Sequence, residues 1–536
     1  MIVGEAPGRE EIENRKPFVG QSGSLLTSML LEVGINRNDC FITNVCHERP
    51  PGNDIDLFFY NKTEARQNNI APVFGLYPNR AVLAGMDLLN SDIHSIKPRL
   101  IIAFGSTALW ALTGNQAIMN WRGSALYWKS PDGTIPSIPL LPTIHPANIL
   151  RDYSSRFLAV RDLRRAQDVL ANNDWPKPGW TFIIKPTFDA VIDWINHQLY
   201  QVSLAPTHYA VDIETRNGQI ACVGIGRNSS AICIPFMQAS RSDGNYWTSE
   251  EEFHITTKLS SFLRHPNTHC IFHNGAYDLQ YFAKQWGYLP NIKDDTMIMQ
   301  HVAFPGLRKS LALCSSLYCS YHRYWKDDGK EWTKEMNEEQ LWSYNCEDCV
   351  RTYEIRNILQ KTLEKLNLTE QYNFQARQLF PRVLETMLRG VPIDFHRRAE
   401  MDFNLQKLLT EHQEWINTAL GQPLNPRSPK QMKDLFYVDL GVPVHRNRKT
   451  GKPSLDDEAM VKIANSYPLL KPLTQKILDF RSIGVFLSTF VRAEVPPDGN
   501  MRCTYNITGA ETFRFSSSTD SFDYGTNLQN IPSGDE

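Results

Sequence analysis

Three residue pairs in the middle of the chain have the types and spacings that metal-assisted phosphodiester chemistry needs. In "YAVDIETRNGQ", Asp212 and Glu214 lie two apart on a β-rich run, so both carboxylates leave one face of one strand. Like charges placed this way repel unless a cation sits between them. "HNGAYDLQYF" sets Asn274 and Asp278 four apart at a strand-to-helix junction, and "SYNCEDCVRTYE" sets Tyr344 and Asp348 four apart on one helical face. A lone Asp-x-Glu is more often a solvated edge strand. Hard oxygen ligands drawn from three separate elements are instead what Mg²⁺ or Mn²⁺ requires. Two such ions ~3.5–4 Å apart activate water and stabilise the leaving oxygen of a phosphodiester. A tyrosine hydroxyl beside them can orient that water. The neighbouring "CEDC", Cys346 and Cys349, is half a zinc site with no second pair at ligand spacing, so a packing role is the stronger reading.

The first segment offers a different set. "VGEAPG" opens the chain with a turn that lets backbone approach a ligand closely before a helix starts. Phe18, between Pro17 and a glycine-rich turn, is expected to be too exposed for a core residue. Asn44 follows an apolar strand, where an amide can read a pyrimidine edge. His145 sits between an apolar strand and Pro146, where imidazole can stabilise charge developing on a leaving base. Each of these residues taken singly is more often structural. In the last segment, "HRNRKTGKPS" gathers Arg446, Arg448, Lys449 and Lys452 into a basic loop, to be read as a solvated turn or as a phosphate contact.

The elements that must hold these residues follow from composition and punctuation. A chain of 536 residues is too long for one core, and 42% hydrophobic with 21% charged residues is ordinary globular composition. A net charge of −2 gives no global basic field, so any nucleic acid must be held by local patches or metal ions. Ten scattered cysteines lack disulfide-like spacing and imply a reducing compartment. No apolar run reaches the ~20 residues of a membrane span, so the expectation is a membrane-free protein of the cytoplasm. "NNDWPKPGW" is the clearest linker, and a softer boundary falls near residue 365. The expected parts are 1–170, a linker 171–180, then 181–365 and 366–536. Apolar strands such as "RLIIAFG" and "HYAVDIET" alternate with helical patterns in the first two parts, which is α/β order, whereas the third is mostly helical.

The carboxylate motifs, in this order and spacing, resemble the DEDD 3′–5′ exonucleases, and Tyr344 places them in the DEDDy subclass. The resemblance implies a ribonuclease H-like fold in which Asp212, Glu214, Asp278 and Asp348 hold two divalent ions. It makes Tyr344 the residue that positions the nucleophile, with Asn274 among the DNA contacts. Residues 1–165, with "GEAPG", "KPFVGQSGS", "CFITNVCHERPPGN", "LIIAFGSTALWALTG", "WRGS" and "LPTIHPANILRD", resemble the uracil-DNA glycosylase superfamily of the family-4 type. That resemblance implies an α/β/α domain that flips uracil onto Phe18, pairs its edge with Asn44 and supports its anion with His145. Glu5 and Glu11 would lie near the attacking water. Family-4 members usually carry an iron–sulfur cluster on four cysteines. Here two ligand positions hold Glu48 and Gly85 and Cys46 is out of register, so no cluster is expected. The strand entering "GEAPG" has only Met1, Ile2 and Val3, and is expected to be nearly absent, through an upstream start or a trimmed domain.

"TYNITGAETFRFSSSTD" and "TNLQNIP" resemble the thumb and first palm strands of a family-A DNA polymerase. Thr512, Arg514, Ser516 and Ser517 meet its T-x-R-x-S-S signature. The resemblance implies that Arg514 reaches the primer–template minor groove and that the thumb loop from Arg446 to Lys452 grips the duplex. The family's palm aspartates come after these motifs, so the expectation is a chain that does not polymerise alone, as a fragment or as half of a split polymerase completed by a second chain. Together the resemblances imply a phage-like replication or repair enzyme that proofreads single-stranded 3′ ends and binds primer–template. Two other readings stand beside it: a non-catalytic uracil-recognising module supporting another polymerase chain, and an exoribonuclease.

Overall fold

In the computed structural model, which describes residues 1–327, 338–447 and 450–531, strict alternation along short apolar strands builds the first sheet. Strands β1 (Ile2–Gly4), β2 (Ile42–Asn44), β3 (Ile101–Phe104), β4 (Leu126–Trp128) and β5 (Ile138–Thr143) run in the order β2-β1-β3-β5-β4. All pairings are parallel except β4 against β5. Ile2, Ile102, Phe104 and Leu141 face one layer, meeting Leu26, Met29 and Leu30 of helix Gly20–Glu32 and Leu163 and Ala166 of helix Arg156–Asn172. Val3, Ile101, Ala103 and Leu140 face the other, where Val82 and Leu89 of helix Arg80–Ile96 and Trp110 of helix Ser106–Thr113 cover them.

The opening strand is short but not absent, contrary to expectation. Ile2–Gly4 is central in the sheet, paired on both sides, and the Met1 ammonium donates to the Leu100 carbonyl at 2.7 Å. Three residues suffice because both ladders satisfy the backbone and both faces of the strand are buried.

The second sheet holds β6 (Thr181–Ile183), β7 (Thr207–Arg216), β8 (Gln219–Arg227), β9 (Ser230–Pro235), β10 (Thr268–Phe272) and β11 (Ile292–Asp295), ordered β11-β10-β7-β8-β9-β6. The meander β7-β8-β9 is antiparallel and β10 adds in parallel beside β7. The 28-residue helix Glu338–Lys365 lies across this sheet. Two glycines on one face of β8 set its depth. A Cβ on Gly224 would stand 2.4 Å from Asn345 Oδ1, and one on Gly226 would stand 2.8 Å from Cys349 Cβ. Such glycines in a strand interior mark close approach of another element.

Both sheets belong to one compact unit, Met1–Ala376; residues Arg377–Glu536 form another. The second unit is mostly helical. Helix Phe380–Arg389 ends at Gly390 with φ 72°, a C-terminal conformation open to glycine. The strand Val391–Pro392 follows, paired with Asn500–Met501. Ser428 caps helix Pro429–Lys433 through its hydroxyl, with proline at the first helical position. The long helices Phe395–Leu420 and Lys471–Phe486 pack together, and a hairpin pairs Thr504–Asn506 with Ser516–Ser518. Among the described residues, no helix is long and apolar enough to cross a membrane.

Candidate functional site: a carboxylate centre and a cluster at the strand ends

Strand β7 presents Asp212 and Glu214 on one face, and the helix laid over β8 brings Asp348 to meet them. The ligand oxygens of these three side chains lie within 4.8 Å of one another. Among the described residues, no other group of three or more His, Cys, Asp or Glu side chains gathers in this way. Asp278, from helix Gly275–Trp286, joins from the side, its Oδ1 accepting the Ile213 backbone N–H at 3.0 Å. Asn274 stands just before that helix in the left-handed conformation, φ 67°, with its side chain exposed.

The electrostatics are those of a site short of positive charge. Burial, then the neighbouring carboxylates, push Asp212 well above the usual carboxylate range. The same causes raise Glu214 to about 8. Burial also raises Asp278 to about 7 against the stabilising N–H of Ile213. Burial and the adjacent carboxylates hold Tyr344 protonated, far above the usual phenol range. Four hard-oxygen donors from one strand and two helices fit Mg²⁺ or Mn²⁺.

Three further residues hold these groups, and the motif reading missed them. Asn345 Nδ2 donates to Asp212 Oδ2 at 2.8 Å. Trp325 Nε1 donates to Asp348 Oδ1 at 2.6 Å. Lys326 Nζ donates to Asp348 Oδ2 at 2.5 Å and to the Tyr344 hydroxyl at 2.7 Å. Asn345 was discoverable, since it follows Tyr344 on a helix that the paired glycines of β8 bring close. Trp325 and Lys326 sit about twenty residues upstream and carried no spacing signal. The thiols of Cys346 and Cys349 are buried in an apolar cluster with Cys222 and Cys233, and no three cysteines come within ligand distance among the described residues.

The second group of residues lies at the carboxyl ends of the first sheet, the usual ligand edge of an open parallel sheet. Asn44 ends β2, Gly4 ends β1, and His145 follows β5. A Cβ on Gly4 would meet Asn44 Oδ1 at 2.3 Å and the Phe18 ring at 2.7 Å, so glycine is what lets these side chains converge. The Phe18 and His145 rings lie 5.5 Å apart. His145 Nδ1 accepts the Ala147 backbone N–H, which leaves Nε2 as the N–H donor of a neutral ring. Burial lowers the His145 pKa to about 4, and Arg151 adds to the shift.

Phe18 departs from its expected exposure: it is 2% exposed and packs against Phe104. Its backbone is held at φ 52° from both sides. Glu11 accepts the Phe18 N–H, and Arg37 donates to the Phe18 carbonyl at 2.7 Å. That carbonyl occupies the space of a missing side chain at Gly23. Both Glu11 oxygens are thus engaged by backbone, the second with Gly8 at 2.5 Å. Glu5 accepts from the Thr107 hydroxyl at 2.6 Å. Cys46 is buried, its thiol 3.4 Å from the Glu48 carbonyl, and a side chain at Gly85 would collide with the Val45 carbonyl.

In the second unit, Arg514 is exposed just before the strand Ser516–Ser518, and Ser517 is hydrogen-bonded to Asn527. Arg446 and Lys452 are exposed on a loop closed by pairing of Arg446 with Pro453. Arg448 and Lys449 lie outside the described residues.

Comparison with known proteins finds three family profiles along the chain. Residues 1–169 match the family profile of the uracil DNA glycosylase superfamily, residues 196–364 that of a 3′-5′ exonuclease, and residues 396–536 that of DNA polymerase family A. A type-4 uracil-DNA glycosylase of Thermotoga maritima is 33% identical over 174 residues, covering 32% of this chain and 77% of the relative. DNA polymerase I of Bacillus subtilis is 29% identical over 185 residues, 33% of this chain and 20% of that protein. A DNA polymerase of Bacillus phage SP01 is 22% identical over 611 residues, 96% of this chain and 61% of that protein.

Proposed function

The chain belongs to the uracil-DNA glycosylase superfamily through residues 1–169, joined to a 3′-5′ exonuclease domain and a family-A DNA polymerase portion, and on that premise we propose a replication and repair enzyme that trims 3′ ends of DNA and excises uracil. The observation that carries the trimming activity is the convergence of Asp212, Glu214 and Asp348 within 4.8 Å, with Asp278 and Tyr344 beside them. Two divalent ions held by the four carboxylates would supply the Lewis acid for phosphodiester hydrolysis. The chain's own residues do the positioning. Asn345 fixes Asp212, Trp325 fixes Asp348, and Tyr344, kept protonated, offers its hydroxyl to orient the attacking water.

In the first domain, Phe18 is the stacking surface for a flipped base and the Asn44 amide matches the uracil edge with one donor and one acceptor. The neutral His145 donates Nε2–H to the base as negative charge develops on it. Glu11 and Arg37 serve this pocket by fixing Phe18. Glu5, close to the same strand end, is the carboxylate proposed to hold the attacking water. In residues 377–536, Arg514, Arg446 and Lys452 are proposed to contact primer–template. Residues 377–536 are expected to bind that duplex.

Incubation of a 5′-labelled single strand tests the trimming activity. A descending ladder with Mg²⁺, absent in EDTA and absent for Asp348→Ala, is expected. An unchanged ladder from Asp348→Ala would overturn the assignment.

A further inference from the structure

Lys326 is, among the described residues, the cation that bonds the carboxylate centre directly. The segment Cys319–Trp325 runs between the two α/β domains of the first unit, and the glycosylase-like domain grips it along its length. Arg165 donates to the carbonyls of Ser316 at 3.0 Å, Cys319 at 2.8 Å and Ser320 at 3.1 Å. The Ala125 N–H donates to the His322 carbonyl at 2.7 Å, and the Tyr324 N–H donates to the Ser124 hydroxyl at 3.0 Å. From the other side, Arg351 donates to the Tyr321 carbonyl at 3.0 Å and stacks its guanidinium 4.0 Å from the Trp325 ring centre. The strap therefore leads straight into Lys326, and the side chains of Trp325 and Lys326 take the two oxygens of Asp348. The Lys326 ammonium also lies 4.8 Å from the Tyr344 ring centre.

A divalent ion bonds carboxylate oxygen at about 2.0–2.1 Å. It must therefore share or displace the ammonium that already lies 2.5 Å from Asp348 Oδ2. We propose that Lys326 is a positioning residue of the exonuclease centre, a tethered cation that competes with one divalent ion for Asp348 while holding Tyr344, and that the glycosylase-like domain sets it there through the Cys319–Trp325 strap. The inference rests on the exonuclease reading of the carboxylates. It makes the first domain a structural part of the second domain's active centre, and it accounts for serine and arginine side chains of one domain bonding the main chain of the other.

The test is Mn²⁺ binding to the full chain without DNA, followed by the electron paramagnetic resonance of free Mn²⁺. Lys326→Met is expected to tighten Mn²⁺ binding by roughly tenfold, a size usual for partners of metal ligands but opposite in sign to the weakening that loss of a mere support gives. Its exonuclease rate is expected to fall, because Asp348 and Tyr344 lose their common donor. Lys326→Arg, which keeps the charge, should bind Mn²⁺ as the parent does. Ser124→Ala, which releases the Tyr324 N–H, should tighten Mn²⁺ binding less than Lys326→Met and add nothing in the double variant. Should Lys326→Met fail to fold in EDTA, Lys326→Gln replaces it. Unchanged or weaker binding by Lys326→Met or Lys326→Gln would overturn the tethered cation, and parental binding by Ser124→Ala would overturn the role of the strap. If the parent and every variant bind no Mn²⁺, the exonuclease reading itself falls.

Discussion

Replacing Asp212 by Asn should make the metal-free protein more stable while removing its exonuclease activity. The carboxylate oxygens of Asp212, Glu214 and Asp348 lie within 4.8 Å of one another. At an effective dielectric constant of ~20, one pair of unit charges at that separation repels by about 3.5 kcal/mol. The Lys326 ammonium and the hydrogen bond from Asn345 offset much of this. A net gain of about 1–2 kcal/mol on removing one carboxylate is what remains, or ~2–8 °C in the melting temperature of a domain this size. The effect has a definite pH dependence. Burial and the other carboxylates raise Glu214 to about 8, and burial raises Asp278 to about 7. Groups whose folded pKa is raised bind protons more tightly in the folded state, so parental stability in EDTA declines as pH rises from about 4 through 8. The advantage of the Asp212→Asn variant should therefore be smaller at pH 5.5 than at pH 8. Thermal unfolding in EDTA at both pH values measures it. Adding Mg²⁺ should stabilise the parent more than the variant and narrow or reverse the gap. The reasoning is refuted if Asp212→Asn is less stable than the parent at pH 8, or if the difference is the same at both pH values.

Gly224→Ala should cost about 1–3 kcal/mol by overpacking, since its Cβ would stand 2.4 Å from Asn345 Oδ1, and should lower exonuclease activity by lifting the helix that carries Asp348; urea unfolding and the ladder assay measure the two effects. Arg122→Ala leaves the fully buried Asp162 without its guanidinium partner, so a loss of about 3–5 kcal/mol is expected by denaturant unfolding. His145, with a folded pKa lowered to about 4, contributes stability that is present above about pH 6.5 and lost as pH falls through 4; His145→Gln should flatten that part of the acid unfolding curve. Purified protein should show no visible iron–sulfur absorbance, since Glu48 and Gly85 stand at two positions that the family-4 resemblance gives to ligand cysteines.

Much of the architecture was legible because it follows from period and punctuation. Asp212 and Glu214 share a face because a strand repeats every two residues, and Tyr344 shares a face with Asp348 because a helix brings i and i+4 together. The glycine after helix Phe380–Arg389 and the Ser428-Pro429 start were visible for the same local reasons. What stayed hidden depends on contacts between segments distant in sequence. Phe18 looked exposed because its neighbours are proline and glycine, yet Glu11, Arg37 and Gly23 together bury it. The opening strand looked too short to exist, but a central position with two partners needs only three residues. Lys326 carried no motif at all; its place is set by a strap held from another domain.

One strand of DNA tests the central claim. A 5′-labelled single strand with a single internal uracil is incubated with the protein in Mg²⁺ or in EDTA, and both samples are treated with alkali and resolved on a gel. The account predicts a descending ladder that requires Mg²⁺, together with a single break at the uracil that persists in EDTA. Intact strand in both lanes would contradict it and leave a DNA-binding protein that performs neither chemistry.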